Sequence, residues 1–174
     1  MNGIVITTHK STELFYIDLM KSLYGCKYPV VTVFNSNEDN QYESSGLEIG
    51  KDLFDNFVFL QDTVLIKNLS LFDKLFEYKE MVSISPRFLM YLGKYNSQIL
   101  KQHTLQQVKN RRDGHDMEMW LGRVFPSAPC FDDKFIDGNH RFEHIHGRMN
   151  MVLENDYLIK MKGHWSLEMI NKDL

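Results

Sequence analysis

A single carboxylate interrupts an apolar run in this chain: Asp62 stands between residues 57–60 and 64–66. A run of β-branched and aromatic residues is typical of a strand buried on both faces. Because an ionised carboxylate is costly in such surroundings unless a cation or donors meet it, we expect Asp62 where the strand ends at a cleft. There it suits a hard divalent ion that carries a phosphorylated substrate. A helix cap or a buried ion pair is the alternative interpretation.

A second group of residues that could do chemistry is the histidine cluster His140, His144 and His146. Within a strand, His144 and His146 would point to one face and could hold a transition metal. The same pattern also fits a solvated β-hairpin. A metal-dependent nuclease is therefore one functional hypothesis, although the long α/β region before the cluster argues against a ββα-metal arrangement.

The spacing of apolar residues predicts the elements that position these groups. Strands are expected over 4–8, 28–34, the run 57–66 that bears Asp62, and 81–85, and helices over 13–24, 46–54, 69–80 and 97–122, the last one broken at Gly114. The first strand, helix and second strand form a βαβ unit, so its strands should be parallel. The pattern predicts a Rossmann-like α/β/α sandwich with a mostly parallel central sheet, followed by an irregular tail.

Composition narrows the class of protein. The chain has 174 residues, 43% of them hydrophobic, which suits one globular domain over 1–174. Its net charge of −3 argues against a broad nucleic-acid surface, and no apolar segment is long enough for a membrane helix. Cys26 and Cys130 form no disulfide framework or metal motif. Without a signal-peptide pattern at the start, a cytoplasmic location is expected.

Several of these segments together resemble the small nucleotide-sugar glycosyltransferases of the GT-A fold, particularly minimal viral or microbial members. The resemblance rests on the loop after the first strand, the end of the second strand, and Phe59-Leu60-Gln61-Asp62-Thr63. It implies a GT-A-like fold that transfers a sugar from a nucleotide-sugar donor, UDP-sugar favoured, to a hydroxyl acceptor that the sequence does not identify.

The resemblance also implies roles for residues. The nucleoside site would comprise Thr7, Thr8, Lys10 and Asn35. Gln61 would contact the nucleotide sugar, and Asp62 would hold Mn²⁺ or Mg²⁺ on the diphosphate. The chain departs from the family because residues 60 and 64 are Leu and Val, which leaves no second aspartate at the Asp-x-Asp spacing. Metal-independent transfer and a catalytically inert binding module are therefore alternatives.

The tail Lys162-Gly163-His164-Trp165 resembles the C-terminal segment of glycogenin-like transferases, although the order of His and Lys differs. The resemblance implies that His164 binds the metal, Lys162 contacts the diphosphate, and Trp165 closes over the nucleotide. His146 is a second candidate for the metal histidine. A C-terminal strand anchored by Trp165 is the structural alternative.

The general base is also assigned through the resemblance, which implies a carboxylate near the start of a helix that follows the acceptor-facing loop. Asp116 holds this place along the chain if Gly114 breaks the helix and lets Asp116 cap the next segment. A plain helix cap is the alternative. Residues 91–95 form either an acceptor-facing aromatic wall or part of the core. The oligomeric state is not predicted.

Overall fold

The computed structural model describes residues 1–36, 43–84, 92–105, 108, 111–135 and 140–162. The strands are β1 (Asn2–His9), β2 (Val30–Asn35), β3 (Asn56–Gln61), β4 (Val64–Ile66), β5 (Val82–Ser83), β6 (Gly93–Asn96), β7 (His140–Ile145), β8 (Arg148–Glu154) and β9 (Leu158–Lys162). The helices are α1 (Glu13–Ser22), α2 (Glu43–Leu53), α3 (Ser70–Glu77), α4 (Ser97–Leu100) and α5 (Arg111–Val124), and a 3₁₀ turn over Lys10–Thr12 precedes α1.

The central sheet has the strand order β2-β1-β3-β6-β5. Strand β1 runs parallel to β2 and to β3, whereas β6 runs antiparallel to both β3 and β5. The predicted βαβ unit and the mostly parallel α/β sheet are confirmed. Because the three parallel strands end at one edge, His9 lies opposite Asn35 and Thr7 opposite Gln61.

Alternate residues of β1 and β3 fill two apolar cores, one on each face of the sheet. Ile4 and Leu60 pack with residues of α1 and α3, and Phe57 packs with residues of α2 and α5. Gly46 lets α2 approach β1 closely, since a Cβ atom there would come within 2.5 Å of the Thr7 methyl group. This close approach sets the first turn of α2 beside the strand ends.

A second, antiparallel sheet has the order β4-β9-β8-β7 and was not predicted from the sequence. The apolar run over 57–66 divides between the two sheets, because the chain turns at Asp62 and Thr63. The turn between β7 and β8 has positive φ at His146 and Gly147, as tight hairpins require.

The predicted helix over 97–122 is wrong in detail. It is two helices, α4 and α5, and α5 continues through Gly114. The side chain of Asn96 caps α4 by accepting the Ile99 N–H at 3.1 Å, and this helix ends after one turn. A helix tolerates an interior glycine at a cost of about 1 kcal/mol, which the packing of Met117 and Leu121 in the core offsets.

Strand β6 was not predicted either, and its buried Lys94 and Tyr95 belong to the protein interior rather than to an acceptor-facing wall. Tyr91 lies outside the described residues. None of the helices in the described part of the chain is long and apolar enough to cross a membrane.

Candidate functional site at the carboxyl edge of the sheet

Three residues form a row across the carboxyl ends of the parallel strands. Thr8 at the end of β1 lies opposite Phe34 of β2, and Asp62 follows β3 in line with Thr8, because Leu60 pairs with Ile6. All three point to the face that α1 covers. With neighbouring strands about 4.8 Å apart, the row spans on the order of 10 Å.

A cavity of about 620 Å³ opens between this edge and α1. The described residues that line it are Thr8, His9, Lys10, Glu13, Tyr16, Phe34, Asn35 and Ser36. The rings of Tyr16 and Phe34 meet edge to face with centroids 5.4 Å apart, and Phe34 is 68% exposed. An aromatic wall opposite polar groups is typical of a pocket for an amphipathic small molecule.

Asp62 lies behind this cavity rather than on its wall. Its side chain is 7% exposed, and the Thr12 hydroxyl at the start of α1 donates a hydrogen bond to Oδ2. Burial is the largest influence and raises the pKa of the Asp62 carboxyl, while Thr12, Thr8, Lys160 and the His9 amide lower it in part. Hydrogen-bond donors therefore meet the buried carboxylate, which is the condition that the sequence sets for a charge within an apolar run.

A polar chain joins the second sheet to the same edge. Lys160 of β9 is 4% exposed, and its Nζ donates to Gln61 Oε1 and Thr63 Oγ1, each at 2.5 Å. Gln61 in turn donates through Nε2 to Glu43 Oε1 of α2 at 2.8 Å. Sequence reasoning missed Lys160, although a lysine inside an apolar strand carries the same signal as Asp62.

The described residues do not by themselves fit a divalent ion. Within them no three His, Cys, Asp or Glu side chains converge, and the one carboxylate of the row already has the Lys160 ammonium nearby. An ammonium close to the carboxylate repels a second cation there. The predicted ligand His164 lies outside the described residues, as does Trp165.

The structure brings Thr8, Lys10 and Asn35 together around the cavity. Asn35 accepts a hydrogen bond from the Ser45 hydroxyl at 3.1 Å. Thr7, by contrast, points to the opposite face, where its methyl group packs beneath α2.

Lys162 lies two residues beyond Lys160 on β9, so both lysines share one face of that strand. Asp116 is exposed on α5, in the interior of the helix, so the predicted cap at Asp116 is wrong. Among the described residues that line the cavity, Asp116 is absent.

The histidine cluster is a hairpin, as one of the two interpretations predicted. Strand β7 ends at Ile145, so His144 lies on the strand while His146 lies in the turn, and the two rings do not share a strand face. His146 Nε2 lies 2.7 Å from Asp18 Oδ2, and its ring packs edge-on against Phe15. These contacts tie the hairpin to α1 and leave the nuclease hypothesis without a metal cluster in the described part of the chain.

No family model matches the chain, and no curated protein matches it. Among solved structures, A197 from STIV is similar at 13% identity with a TM-score of 0.50, over 95% of this chain and 96% of that one. The catalytic domain of Drosophila β1,4-galactosyltransferase 7 in complex with xylobiose matches at 11% identity and a TM-score of 0.45, over 98% and 96%. A mutant of it with manganese, UDP-Gal and xylobiose matches at 10% and 0.46, over 98% and 96%. The likeness to A197 is one of fold.

Proposed function

We propose that the protein is a GT-A-like glycosyltransferase that moves a sugar from a nucleotide-sugar donor, UDP-sugar favoured, to a hydroxyl acceptor. The observation that carries this proposal is the cavity at the carboxyl ends of β1 and β2, in line with Asp62 at the end of β3. These are the strand ends to which the family resemblance assigns the nucleoside and the diphosphate. Open α/β sheets bind ligands at this edge.

The cavity suits the nucleoside half of the donor. Its volume falls within the range of small-molecule sites, and the exposed ring of Phe34 offers a flat apolar surface to a base. Asn35 and the hydroxyl of Thr8 supply polar contacts beside that ring. Lys10 is exposed at the rim, where its ammonium attracts a diphosphate.

The transfer step needs positive charge at the leaving group and a base at the acceptor. In this proposal Lys10 and Lys162 neutralise the departing diphosphate, and Trp165 covers the nucleotide. The acceptor hydroxyl loses its proton to Asp116, then attacks the anomeric carbon as the bond to the diphosphate oxygen breaks. The family resemblance alone supports Asp116 as the base, because α5 packs on the face of the sheet opposite to the cavity and no contact among the described residues joins Asp116 to it.

A bound Mn²⁺ or Mg²⁺ would supply further charge neutralisation if His164 and diphosphate oxygens completed the ligands around Asp62. Because the described residues offer one carboxylate there, no step is assigned to a metal. We also propose one domain and a cytoplasmic location, in keeping with the free thiols of Cys26 and Cys130.

A binding module without catalytic activity is the second candidate function. The observation that favours it is the burial of Asp62 beneath Thr12, which resembles a structural tie between β3 and α1. In such a protein the cavity would still hold a nucleotide sugar, but the carboxylate would serve the fold alone.

Thermal unfolding against a panel of nucleotide sugars, with Mn²⁺ and with EDTA, tests both candidates. We expect UDP-sugars to raise the melting temperature more than other nucleotides do. Stabilisation together with transfer to at least one acceptor supports the enzyme, and stabilisation without transfer across a broad acceptor panel supports the binding module. The absence of any shift across the panel would contradict both.

A further inference from the structure

The two ring nitrogens of His9 lie in different surroundings. Nδ1 is 3.1 Å from the backbone N–H of Ser11, and an amide N–H can only donate. Nδ1 is therefore the acceptor, and the neutral ring carries its proton on Nε2. This Nε2–H group is buried and has no hydrogen-bond partner among the described residues.

The neighbouring residue shows the same deficiency. Thr8 is 4% exposed, and its Oγ1 has no hydrogen-bond partner in the described part of the chain. The hydroxyl is close enough to lower the pKa of the Asp62 carboxyl, but its geometry falls short of a hydrogen bond. Folded proteins leave few buried polar groups unsatisfied, and here two adjacent ones belong to residues that line one cavity.

The second sheet fixes the segment that holds the His9 ring. Arg148 of β8 donates a hydrogen bond from Nη2 to the carbonyl oxygen of Ser11, and its guanidinium lies 5.1 Å from the centre of the Phe15 ring. Ser11 is thus held at its carbonyl by Arg148 and at its N–H by His9. The orientation of the imidazole is therefore set before a ligand arrives.

We infer that His9 is a specificity-determining residue whose Nε2–H, together with the Thr8 hydroxyl, donates hydrogen bonds to acceptor oxygens of the nucleotide in the cavity. The inference rests on the proposed function. A nucleobase carbonyl and a diphosphate oxygen share the acceptor chemistry that these donors recognise. Because both atoms are buried, binding includes a local shift of the cavity wall.

Two substitutions separate the roles of the two nitrogens. In His9→Asn the amide oxygen can still cap Ser11, as Nδ1 does, but the Nε2 donor is lost. In His9→Gln the terminal amide can take the place of Nε2–H, but the contact to Ser11 is lost. His144→Asn changes an exposed histidine on β7 and is the matched control.

Calorimetric titration of the full chain with UDP, combined with melting curves, measures both effects. We expect His9→Asn to melt like the wild type and to bind UDP about tenfold more weakly, as the loss of one hydrogen bond predicts. His9→Gln should melt at a lower temperature yet bind UDP within about threefold of the wild type. Parallel titrations with uridine and with pyrophosphate show which half of the nucleotide His9 contacts.

Wild-type affinity for UDP in His9→Asn would overturn the inference and leave the proposed function intact. If wild-type protein binds none of the nucleotides, both fail. Should His9→Asn not fold, Thr8→Val provides the test. A loss of several-fold in UDP affinity supports the inference, and unchanged affinity overturns it.

Discussion

Two buried lysines lie in different regions of the molecule and have different kinds of hydrogen-bond partner. Lys94 in β6 is 2% exposed, and its ammonium donates to the main-chain carbonyls of residues 78–80 at 2.9, 3.3 and 3.0 Å. Lys160 in β9 instead donates to the side chains of Gln61 and Thr63 at the carboxyl edge. The first lysine binds the segment that follows α3, and the second joins a network of side chains beside the cavity.

The two lysines therefore distinguish a structural region around β6 from the carboxyl edge, where we propose that a ligand binds. Around Lys94 three carbonyls satisfy all three ammonium protons, and desolvation lowers the pKa of Lys94. At the carboxyl edge Thr8 Oγ1 and His9 Nε2 have no hydrogen-bond partner among the described residues, and burial raises the pKa of Asp62. Changes near Lys94 should therefore alter stability alone, whereas changes at the edge should also alter binding.

The largest expected effect is on catalysis, at Asp116. Asp116→Asn should lower transfer to the acceptor by about 10²–10⁴-fold and preserve donor affinity, because a general base acts only on the acceptor proton. Transfer of a labelled sugar and calorimetric donor binding measure the two quantities, with exposed Asp133→Asn as the control. Transfer at the wild-type rate would show that another group is the base.

The largest effect on stability is expected at Lys94. Lys94→Met removes the donor to three carbonyls and should lower the free energy of unfolding by about 2–3 kcal/mol. Urea unfolding of this variant and of Lys79→Met, which alters an exposed lysine nearby, provides the comparison. If Lys94→Met is as stable as Lys79→Met, the contrast between the two buried lysines collapses.

The coupling of Lys160 with Asp62 sharpens the comparison further. Lys160→Met leaves the Asp62 carboxylate without its nearby cation. The substitution should therefore lower the free energy of unfolding more in the wild-type protein than in the Asp62→Asn variant. A double-mutant cycle in urea should give a coupling energy of about 1 kcal/mol. Strict additivity would mean that the two charges do not interact in the folded protein.

The smallest expected effect is the pH dependence at Asp62. Since its pKa is raised above 3.8, the folded protein binds this proton at pH values where the unfolded chain has released it. Stability therefore falls as the pH rises from 3.8 through the raised pKa, and then levels off. Asp62→Asn should remove this fall while weakening nucleotide binding. Parallel stability curves for wild type and variant between those pH values would refute it.

Local patterns sufficed for the first half of the fold. The apolar run of β1, the i, i+4 spacing of Phe15 and Leu19 in α1, and Gly25 at positive φ are signals within a few residues of each other. Parallel pairing then places Thr8 and Asn35 at one edge without further information. The position of Asp62 was predictable because a charge that interrupts an apolar run is expected where the buried strand ends.

The second sheet escaped prediction because its partners are distant in sequence. Strand β4 pairs with β9 nearly a hundred residues later. Asp62 and Thr63 also lack a sequence signal that would predict the turn from one sheet to the other. The turn at His146 and Gly147 lacks the usual Asn-Gly or Asp-Gly signal. The spacing of apolar residues predicts an irregular tail there, so it does not single out Lys160. Gly114 predicts a helix break that does not occur, because core packing outweighs the weak helix propensity of glycine.

The most direct test of the account is a crystal structure of the protein with UDP. We predict that the nucleoside occupies the cavity against Phe34, within hydrogen-bonding distance of Thr8 or His9, with the diphosphate directed along the row toward Asp62. UDP bound at another surface, with this cavity empty, would contradict the assignment of the carboxyl edge as the donor site.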